Sequence, residues 1–287
     1  MSAVAALVAI VCWSVYARQA PVPPARETVI ANEGAKLAAT ISYPPGKGRF
    51  PGVVLVHGSG RMTRSQLDRQ KDQLVAGGLA VLAYDKRGVG ESTGEYDNVG
   101  VRTSPERMPL LGRDALACLR ALREDGRIDA SRVGFLGSSQ AGWIIPAAIA
   151  GSVPGEVRFA IVLSGPATSV GLEHVYSEAT GDGIRPAEAL SPEAIDARVD
   201  AYRGPQGFDH VPLLRALRTP TLWLVGEADE SIPVRHTLRN LRAAISAGAP
   251  ITLRTYPGAN HGLGTATGPA PYWKDTIDWL RAERILR

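Results

Sequence analysis

Six short, continuously apolar runs recur between Gly52 and Tyr256, and longer segments of helical periodicity separate them. A strand with one face in water alternates apolar and polar residues, so continuous runs indicate strands buried on both faces. Parallel strands covered by helices are buried in this way. The pattern therefore predicts the α/β class, with a mostly parallel central sheet and helices on both faces. The six runs are Gly52–Val56, Ala80–Tyr84, Arg132–Leu136, Phe159–Leu163, Thr221–Val225 and Ile251–Tyr256.

Two features modify this regular alternation. Thr28–Ile30 and Leu37–Tyr43, with Asn32-Glu-Gly34 between them, predict a β-hairpin ahead of the main sheet. Residues 166–218 contain no strand-like run, but carry Gly/Pro-rich patches around a helical segment, Pro192–Ala201. Connections this long inside a compact domain are usually functional. We therefore expect a small cap insertion at about 166–218 within one domain spanning 27–287.

The N-terminal segment is apolar. Residues 2–17 contain no charged side chain, yet the segment falls short of the ~18–20 residues that span a bilayer comfortably. Its length fits the apolar region of a secretory signal, although no Lys or Arg precedes it. We expect a signal or membrane-anchor segment at 1–20, with residues 2–17 as the tether if it is retained, and a Pro-rich spacer at 21–26. The protein would then be exported, periplasmic or extracellular, or membrane-anchored. A misassigned start codon would leave it cytoplasmic.

Charge and cysteine content exclude several classes of function. The net charge is +4 with 21% charged residues, and the arginines are scattered rather than interleaved with aromatics along one stripe. No nucleic-acid partner is therefore expected. The two cysteines, Cys12 and Cys118, form no CxxC motif or disulfide framework, and no histidine pair has metal-ligand spacing. Cys118 lies in an apolar helical stripe and is expected to be a buried structural thiol. No metal is expected.

The segment that follows the third run has the pattern of a nucleophile elbow. Gly137-Ser-Ser-Gln-Ala141 leads from a strand through small residues into an apolar helix. In so tight a turn, the residues two before and two after the nucleophile must be small, as Gly137 and Ala141 are. This frame assigns the nucleophile to Ser139 and excludes Ser138, for which Leu136 would occupy the earlier small position. The alternative is a Gly/Ser-rich turn that only caps the helix.

A serine hydroxyl needs an adjacent base to attack at neutral pH. Asp229 follows the run that ends at Val225, and His261 follows the run that ends at Tyr256. These positions have the chain order Ser, Asp, His, and catalytic groups of open α/β sheets gather at the carboxyl ends of strands. We therefore expect His261 as general base and Asp229 as the acid that orients it.

Other acids and histidines in the sequence could fill these two roles. Glu227 and Glu230 flank Asp229 and remain alternatives for the acid. The other histidines of the cap and the following helix do not follow a strand, and solvated or capping roles are expected for them: His174, His210 and His236.

An acyl-transfer site also requires donors for the developing oxyanion. The N–H of Gln140, the residue after the nucleophile, is the first expected donor. The second is expected from the loop after Val56, which reads His57-Gly-Ser-Gly60, with the N–H of Ser59 as donor. We expect His57 to hold this loop in place rather than to act on the substrate.

These motifs together resemble the α/β-hydrolase superfamily, specifically its serine esterases and the catalytic domains of prolyl-oligopeptidase-like and dienelactone-hydrolase-like enzymes. The resemblance runs from about Glu27 to the C-terminus and implies a two-step reaction through an acyl-enzyme, without a cofactor. It also implies that Arg87 is a structural anchor. Ala141 departs from the family's Gly-x-Ser-x-Gly, but is small. The motifs are His57-Gly-Ser-Gly60, Asp85-Lys-Arg-Gly-Val-Gly-Glu-Ser92, Gly137-Ser-Ser-Gln-Ala141, Gly226-Glu-Ala-Asp229 and Asn260-His-Gly262.

The expected substrate is a small molecule. The cap holds few aromatics, Tyr176, Tyr202 and Phe208 among them, which favours a modest pocket and a carboxylic ester with a small or medium acyl chain. A peptidase or acylaminoacyl-type hydrolase, an acyltransferase and a cofactor-free haloperoxidase use the same triad and remain alternatives. A non-catalytic binding protein on this fold would normally have lost a triad residue.

Overall fold

A mixed eight-stranded sheet forms the centre of the computed structural model, which describes residues 25–287. The order is β1-β2-β4-β3-β5-β6-β7-β8; β1 and β2 are antiparallel to their neighbours, and β3 to β8 are parallel. The predicted mostly parallel sheet is confirmed. The strands are β1 Ala25–Asn32, β2 Ala35–Ser42, β3 Phe50–Val56, β4 Ala80–Tyr84, β5 Ile128–Ser138, β6 Phe159–Leu163, β7 Thr221–Gly226 and β8 Ile251–Tyr256.

The N-terminal hairpin forms as the sequence predicts. Its turn residues, Glu33 and Gly34, have φ values of 42° and 76°, which suit the two-residue turns that join twisted antiparallel strands. Because β1 begins at Ala25, the last two residues of the expected spacer belong to the sheet. The expected signal or anchor segment at 1–20 lies outside the described residues.

Helices cover both faces of the sheet. They are α1 Asp68–Ala76, α2 Ser104–Arg123, α3 Ala141–Ala150, α4 Val170–Thr180, α5 Pro192–Ala201, α6 Val211–Ala216, α7 Val234–Ser246 and α8 Tyr272–Ala282. Short 3-10 turns occupy Arg64–Leu67 and Gly181–Gly183, and a small hairpin, β9 Gly264–Thr265 with β10 Gly268–Pro269, follows β8. Over residues 25–287, no helix combines the length and apolarity needed to cross a bilayer.

Two apolar cores lie on opposite faces of the sheet. Trp223 and Val225 of β7 pack into the core that includes α2, α3 and α7, whereas Leu222 and Leu224 pack into the core that includes α1 and α8. Every residue of β7 is buried, which is why the strand is apolar throughout. Cys118 is fully buried in α2 and is a free thiol.

The interval between β6 and β7 contains α4, α5 and α6, and we refer to these three helices and their connections as the cap. The helical segment predicted at Pro192–Ala201 is α5 with the same bounds. An ion-pair network ties this helix to the core: Asp196 and Asp200 of α5 contact Arg235 at the start of α7, and Asp200 Oδ1 lies 2.8 Å from Nε2 of the buried His236.

Candidate active site

Ser139 lies in a sharp turn between β5 and α3. Its φ of 57° is in the left-handed region, which a residue with a side chain rarely adopts unless its surroundings impose it. The turn is fixed on both sides, because the N–H of Ser139 donates to Leu163 O at 3.0 Å and the N–H of Gly142 donates to Ser139 O at 2.8 Å. The backbone therefore presents a partly exposed serine at the carboxyl edge of the sheet.

The small residues around Ser139 allow this turn. A Cβ on Gly137 would lie 2.5 Å from the Ala141 Cβ and 2.6 Å from Val56 O, closer than real atoms approach. Gly137 therefore has no room for a side chain, and the methyl group of Ala141 is accommodated because Gly137 lacks one. The turn therefore tolerates Ala at position 141 as long as position 137 is Gly.

Asp229 and His261 meet at the same edge of the sheet. The loops after β7 and β8 bring His261 Nδ1 to 2.9 Å from Asp229 Oδ2 and 3.1 Å from Oδ1. The Asp229 side chain is completely buried, and its Oδ1 also accepts hydrogen bonds from the N–H groups of Ser231 and Ile232 at 2.8 and 3.1 Å. The carboxylate is therefore held rigidly against one nitrogen of the ring.

The other ring nitrogen of His261 is available for chemistry. Its Nε2 makes no hydrogen bond within the described part of the chain, and a third of the side chain is exposed. No hydrogen bond joins it to Ser139 Oγ in this structure; in the absence of substrate, catalytic hydrogen bonds are often long or poorly aligned and tighten only when substrate binds. Burial lowers the pKa of His261, but the hydrogen bond and charge of Asp229, with the charge of Asp182, outweigh burial and raise it above 6.5.

The competing acids and histidines lie elsewhere. Glu227 and Glu230 are exposed, in contrast to Asp229. His174 is exposed on α4, and His210, directly before α6, is fully buried. His236 is buried and bound to Asp200, as described above. The solvated or capping role expected for these histidines is therefore wrong for His210 and His236, whose side chains are both buried and cap no helix.

The loop after β3 lies against the serine turn. A Cβ on Gly58 would be 3.6 Å from the Ser139 Cβ. The N–H groups of Ser59 and Gln140 donate to no acceptor within residues 25–287, so both are free for a ligand oxygen. Gln140 is buried directly before the first residue of α3, where unpaired N–H groups and the helix dipole favour negative charge.

His57 holds this loop from behind. It is 1% exposed, and its Nε2 lies 2.5 Å from Tyr84 O. Burial, assisted by the charge of Lys86, lowers the pKa of His57 to about 3, so the ring is neutral. A ring with no access to substrate has a structural role.

Arg87 is anchored away from the site. Its guanidinium binds the buried carboxylate of Asp114 on α2, with Nε 2.9 Å from Oδ2, and also donates to Glu33 O. It joins the loop after β4 to α2 and the hairpin.

Lys86 lies between Asp85 and Arg87, and no pattern in the sequence indicates a functional role for it. It is 3% exposed, and its Nζ donates to Gly58 O at 2.7 Å, Gln140 Oε1 at 2.9 Å and Gly60 O at 3.1 Å. The signal available in the sequence was a lysine two residues after the end of a fully buried strand. Its partners lie 26 to 54 residues away along the chain.

The cap contacts the loop that carries Asp229. Tyr176 of α4 donates to Asp229 O at 3.0 Å, Thr180 donates to Glu230 O, and Ser231 donates to Asp182 Oδ1. A groove of about 610 Å³ between the cap and this loop includes Asp229 in its lining, but neither Ser139 nor His261. Within residues 25–287, no cluster of three or more His, Cys, Asp or Glu side chains is arranged to hold a metal ion.

This fold, with a serine at a strand-turn-helix junction, defines the α/β-hydrolase class. A profile of the prolyl oligopeptidase family matches residues 66–283, most of the chain. The chain therefore belongs to the prolyl oligopeptidase family and is a serine hydrolase.

Individual curated relatives share only low sequence identity with this chain. The chain is 24% identical over 278 residues to the acylamino-acid-releasing enzyme of Homo sapiens, covering 94% of this chain and 36% of the relative. It is 24% identical over 245 residues to that of Rattus norvegicus, covering 83% of this chain and 32% of the relative. The chain thus spans about a third of the length of these relatives.

Solved structures share the fold at low sequence identity. A Pyrococcus furiosus esterase matches with a TM-score of 0.67 and 17% identity, covering 91% of each chain. The Pyrococcus horikoshii acylaminoacyl peptidase matches with a TM-score of 0.66 and 15% identity, covering 91% of this chain and 42% of the other.

Proposed function

We propose that this serine hydrolase cleaves carboxylic esters with a small or medium acyl chain, with Ser139 as nucleophile, His261 as general base and Asp229 as its orienting acid. The observation that carries the proposal is the buried Asp229 carboxylate bound to Nδ1 of a histidine whose Nε2 is free, at the edge of the sheet that presents Ser139. The substrate is a small molecule, and the family resemblance implies no cofactor.

In acylation, Ser139 Oγ attacks the ester carbonyl carbon while His261 Nε2 takes the hydroxyl proton. Asp229 holds the proton of Nδ1 in place and stabilises the imidazolium that forms. The negative charge on the carbonyl oxygen is received by the N–H groups of Ser59 and Gln140. Collapse breaks the bond to the leaving oxygen, which takes the proton from His261 and departs as an alcohol.

In deacylation, water replaces the alcohol. His261 takes a proton from the water as its oxygen attacks the acyl carbon, and the second tetrahedral intermediate uses the same two donors. Its collapse returns the proton to Ser139 Oγ and releases the carboxylic acid. An alcohol or amine in place of water would make the same chain an acyltransferase.

Cleavage of an acylaminoacyl peptide bond is the second candidate. It is supported by membership of the prolyl oligopeptidase family and by the acylamino-acid-releasing relatives. The site chemistry is the same, since an amide nitrogen would take the proton from His261.

A substrate panel separates the candidates. We expect p-nitrophenyl acetate, butyrate and hexanoate to be cleaved with a higher kcat/KM than p-nitrophenyl esters of N-acetylamino acids, which carry the same leaving group; the reverse order, together with cleavage of the matching p-nitroanilides, would favour the peptidase. A fluorophosphonate probe should label Ser139 of the wild type. A wild-type protein that neither labels nor cleaves any of these compounds would support a non-catalytic binding protein.

The matched variant is Ser139→Ala. It should lower ester cleavage to the residual level that binding and the oxyanion donors sustain, a loss on the order of 10⁶-fold in kcat. Because the side chain is only partly buried, the midpoint of thermal unfolding should remain within a few degrees. A large loss of stability would instead support the interpretation of this turn as a helix cap.

We also propose that the segment at 1–20 directs export or tethers the protein to a membrane through residues 2–17. Fractionation of a bacterial host that expresses the full chain, with N-terminal sequencing, tests this. Recovery from the soluble cytosol with Met1 or Ser2 at the N-terminus would contradict it.

A further inference from the structure

Lys86 is buried without a carboxylate partner. In the described part of the chain, no Asp or Glu lies within ion-pair distance of its Nζ, although both neighbouring charged residues are paired: Asp85 with Arg64, and Arg87 with Asp114. Its three ammonium protons are matched by three oxygens, those of Gly58, Gly60 and the Gln140 side chain. Burial lowers the pKa of Lys86 to about 8, which shows that the ammonium form is costly here.

The three acceptors belong to the two segments that carry the proposed oxyanion donors. Gly58 and Gly60 flank Ser59, and Gln140 is the residue after the nucleophile. A single side chain, from the loop that follows β4, therefore joins the loop after β3 to the turn after β5.

The contact with Gly58 also determines the direction of one donor. The C=O of Gly58 and the N–H of Ser59 belong to the same peptide unit, which is trans because the described residues contain no cis peptide bond. In a trans peptide these two groups point in opposite directions. Because the Gly58 oxygen faces Lys86 at 2.7 Å, the Ser59 N–H faces away from Lys86.

The contact with Gln140 removes a competing group. The side-chain oxygen of Gln140 is an acceptor next to the turn, and an acceptor near a developing oxyanion would destabilise it. Its hydrogen bond to Lys86, 2.9 Å long, keeps this oxygen on the buried side of the loop.

We propose that Lys86 is a positioning residue of the oxyanion hole, which orients the Ser59 and Gln140 donors by binding the oxygens of Gly58, Gly60 and Gln140 together. The inference rests on the proposed function. Because the oxyanion exists only in the transition state and the tetrahedral intermediates, the contribution of Lys86 falls on kcat rather than on KM.

The test replaces Lys86 with methionine, which has a similar length but no donor. Lys86→Met should lower kcat for p-nitrophenyl butyrate by ~10²-fold, the effect of losing one oxyanion donor, with KM changed by less than about threefold. The same substitution should raise the inhibition constant of a trifluoromethyl ketone by a similar factor, because the adduct of this inhibitor with Ser139 carries an oxyanion. Lys86→Gln keeps one amide donor, so its kcat and its affinity for the inhibitor should lie between those of wild type and Lys86→Met. If Lys86→Met does not fold, Lys86→Gln provides the test.

The matched control is Arg87→Lys, in the same segment. It weakens a buried contact to Asp114 that does not involve the site, so it should lower the thermal midpoint and leave kcat and the inhibition constant unchanged. If the Lys86 variants lose stability as Arg87→Lys does but keep kcat and inhibitor affinity within threefold of wild type, Lys86 is only a structural anchor. A wild-type Ser139 that does not react with a fluorophosphonate would overturn the proposed function itself, a result distinct from this one.

Discussion

Asp229→Asn tests the proposed triad by replacing one oxygen with an NH2 group of the same shape. In the wild type, Oδ1 accepts the N–H groups of Ser231 and Ile232 at 2.8 and 3.1 Å, and Oδ2 lies 2.9 Å from His261 Nδ1. The side-chain oxygen of an asparagine must face the two backbone N–H groups, because its NH2 group cannot accept hydrogen bonds from them. The NH2 group then faces His261 Nδ1.

The consequence for His261 is a change of tautomer. Facing a donor, Nδ1 must accept, so the single proton of the neutral ring moves to Nε2. A protonated Nε2 cannot take the proton of Ser139, and the expected loss is on the order of 10⁴-fold in kcat. The fold should persist, because the asparagine still accepts both backbone hydrogen bonds.

The pH profile gives an independent readout of the same change. The active form requires unprotonated Nε2, so the acid limb of wild-type kcat/KM should lie above pH 6.5, where the pKa of His261 is raised. Without the Asp229 charge, burial has the larger effect on the pKa of His261 and lowers it. The residual activity of Asp229→Asn should therefore have its acid limb at lower pH than the wild type. The raised pKa of His261 also makes the free energy of unfolding depend on pH. Protonated His261 stabilises the wild-type fold at low pH, and this contribution is lost as pH rises through the raised pKa.

The assay is hydrolysis of p-nitrophenyl butyrate from pH 5 to 9, with thermal unfolding as the check on folding. Glu230→Gln is the matched control, because this neighbouring carboxylate is exposed and should leave kcat unchanged. A kcat of Asp229→Asn within tenfold of wild type, or an equal loss in Glu230→Gln, would refute the assignment of Asp229.

Two further predictions concern the turn and the cap. Gly137→Ala should destabilise the fold by about 1–3 kcal/mol, measured by chemical unfolding, because the new methyl group would lie 2.6 Å from Val56 O; an unchanged free energy of unfolding would show that the turn relaxes freely. Burial, with the charges of Asp182 and Asp229, raises the pKa of Glu173 to about 8, so the folded state binds more protons than the unfolded state between pH 4.5 and 8. Glu173→Gln should therefore raise the thermal midpoint by an amount that grows across this window and is constant above pH 8; a gain independent of pH would contradict the raised pKa.

Local patterns in the sequence predicted much of the sheet. β4, β6 and β8 have the predicted bounds. β4 and β6 are buried along their whole length, and strands buried on both faces must be apolar throughout. β8 is an edge strand in which only the two end residues are buried, so the expectation that it is buried on both faces is wrong. β5 begins at Ile128 rather than Arg132, since its first part pairs with Phe50 across a register shift and carries polar residues. The hairpin of β9 and β10 has only two residues in each strand, too few to form a recognisable period.

Part of the candidate site was likewise predictable from local sequence, and part required the fold. Local residue patterns were sufficient to predict the serine turn, since Gly137 and Ala141 meet a local steric requirement. They also predicted the order Ser139, Asp229 and His261 from three strand ends. Only the tertiary structure separated Asp229 from Glu227 and Glu230, because all three follow the same strand and only folding buries one of them against His261. It alone assigned partners to Lys86, whose contacts with Gly58 and Gln140 join residues 28 and 54 positions apart. Hydrogen bonds over such separations depend on how strands are ordered in the sheet, and no local pattern of residues records that order.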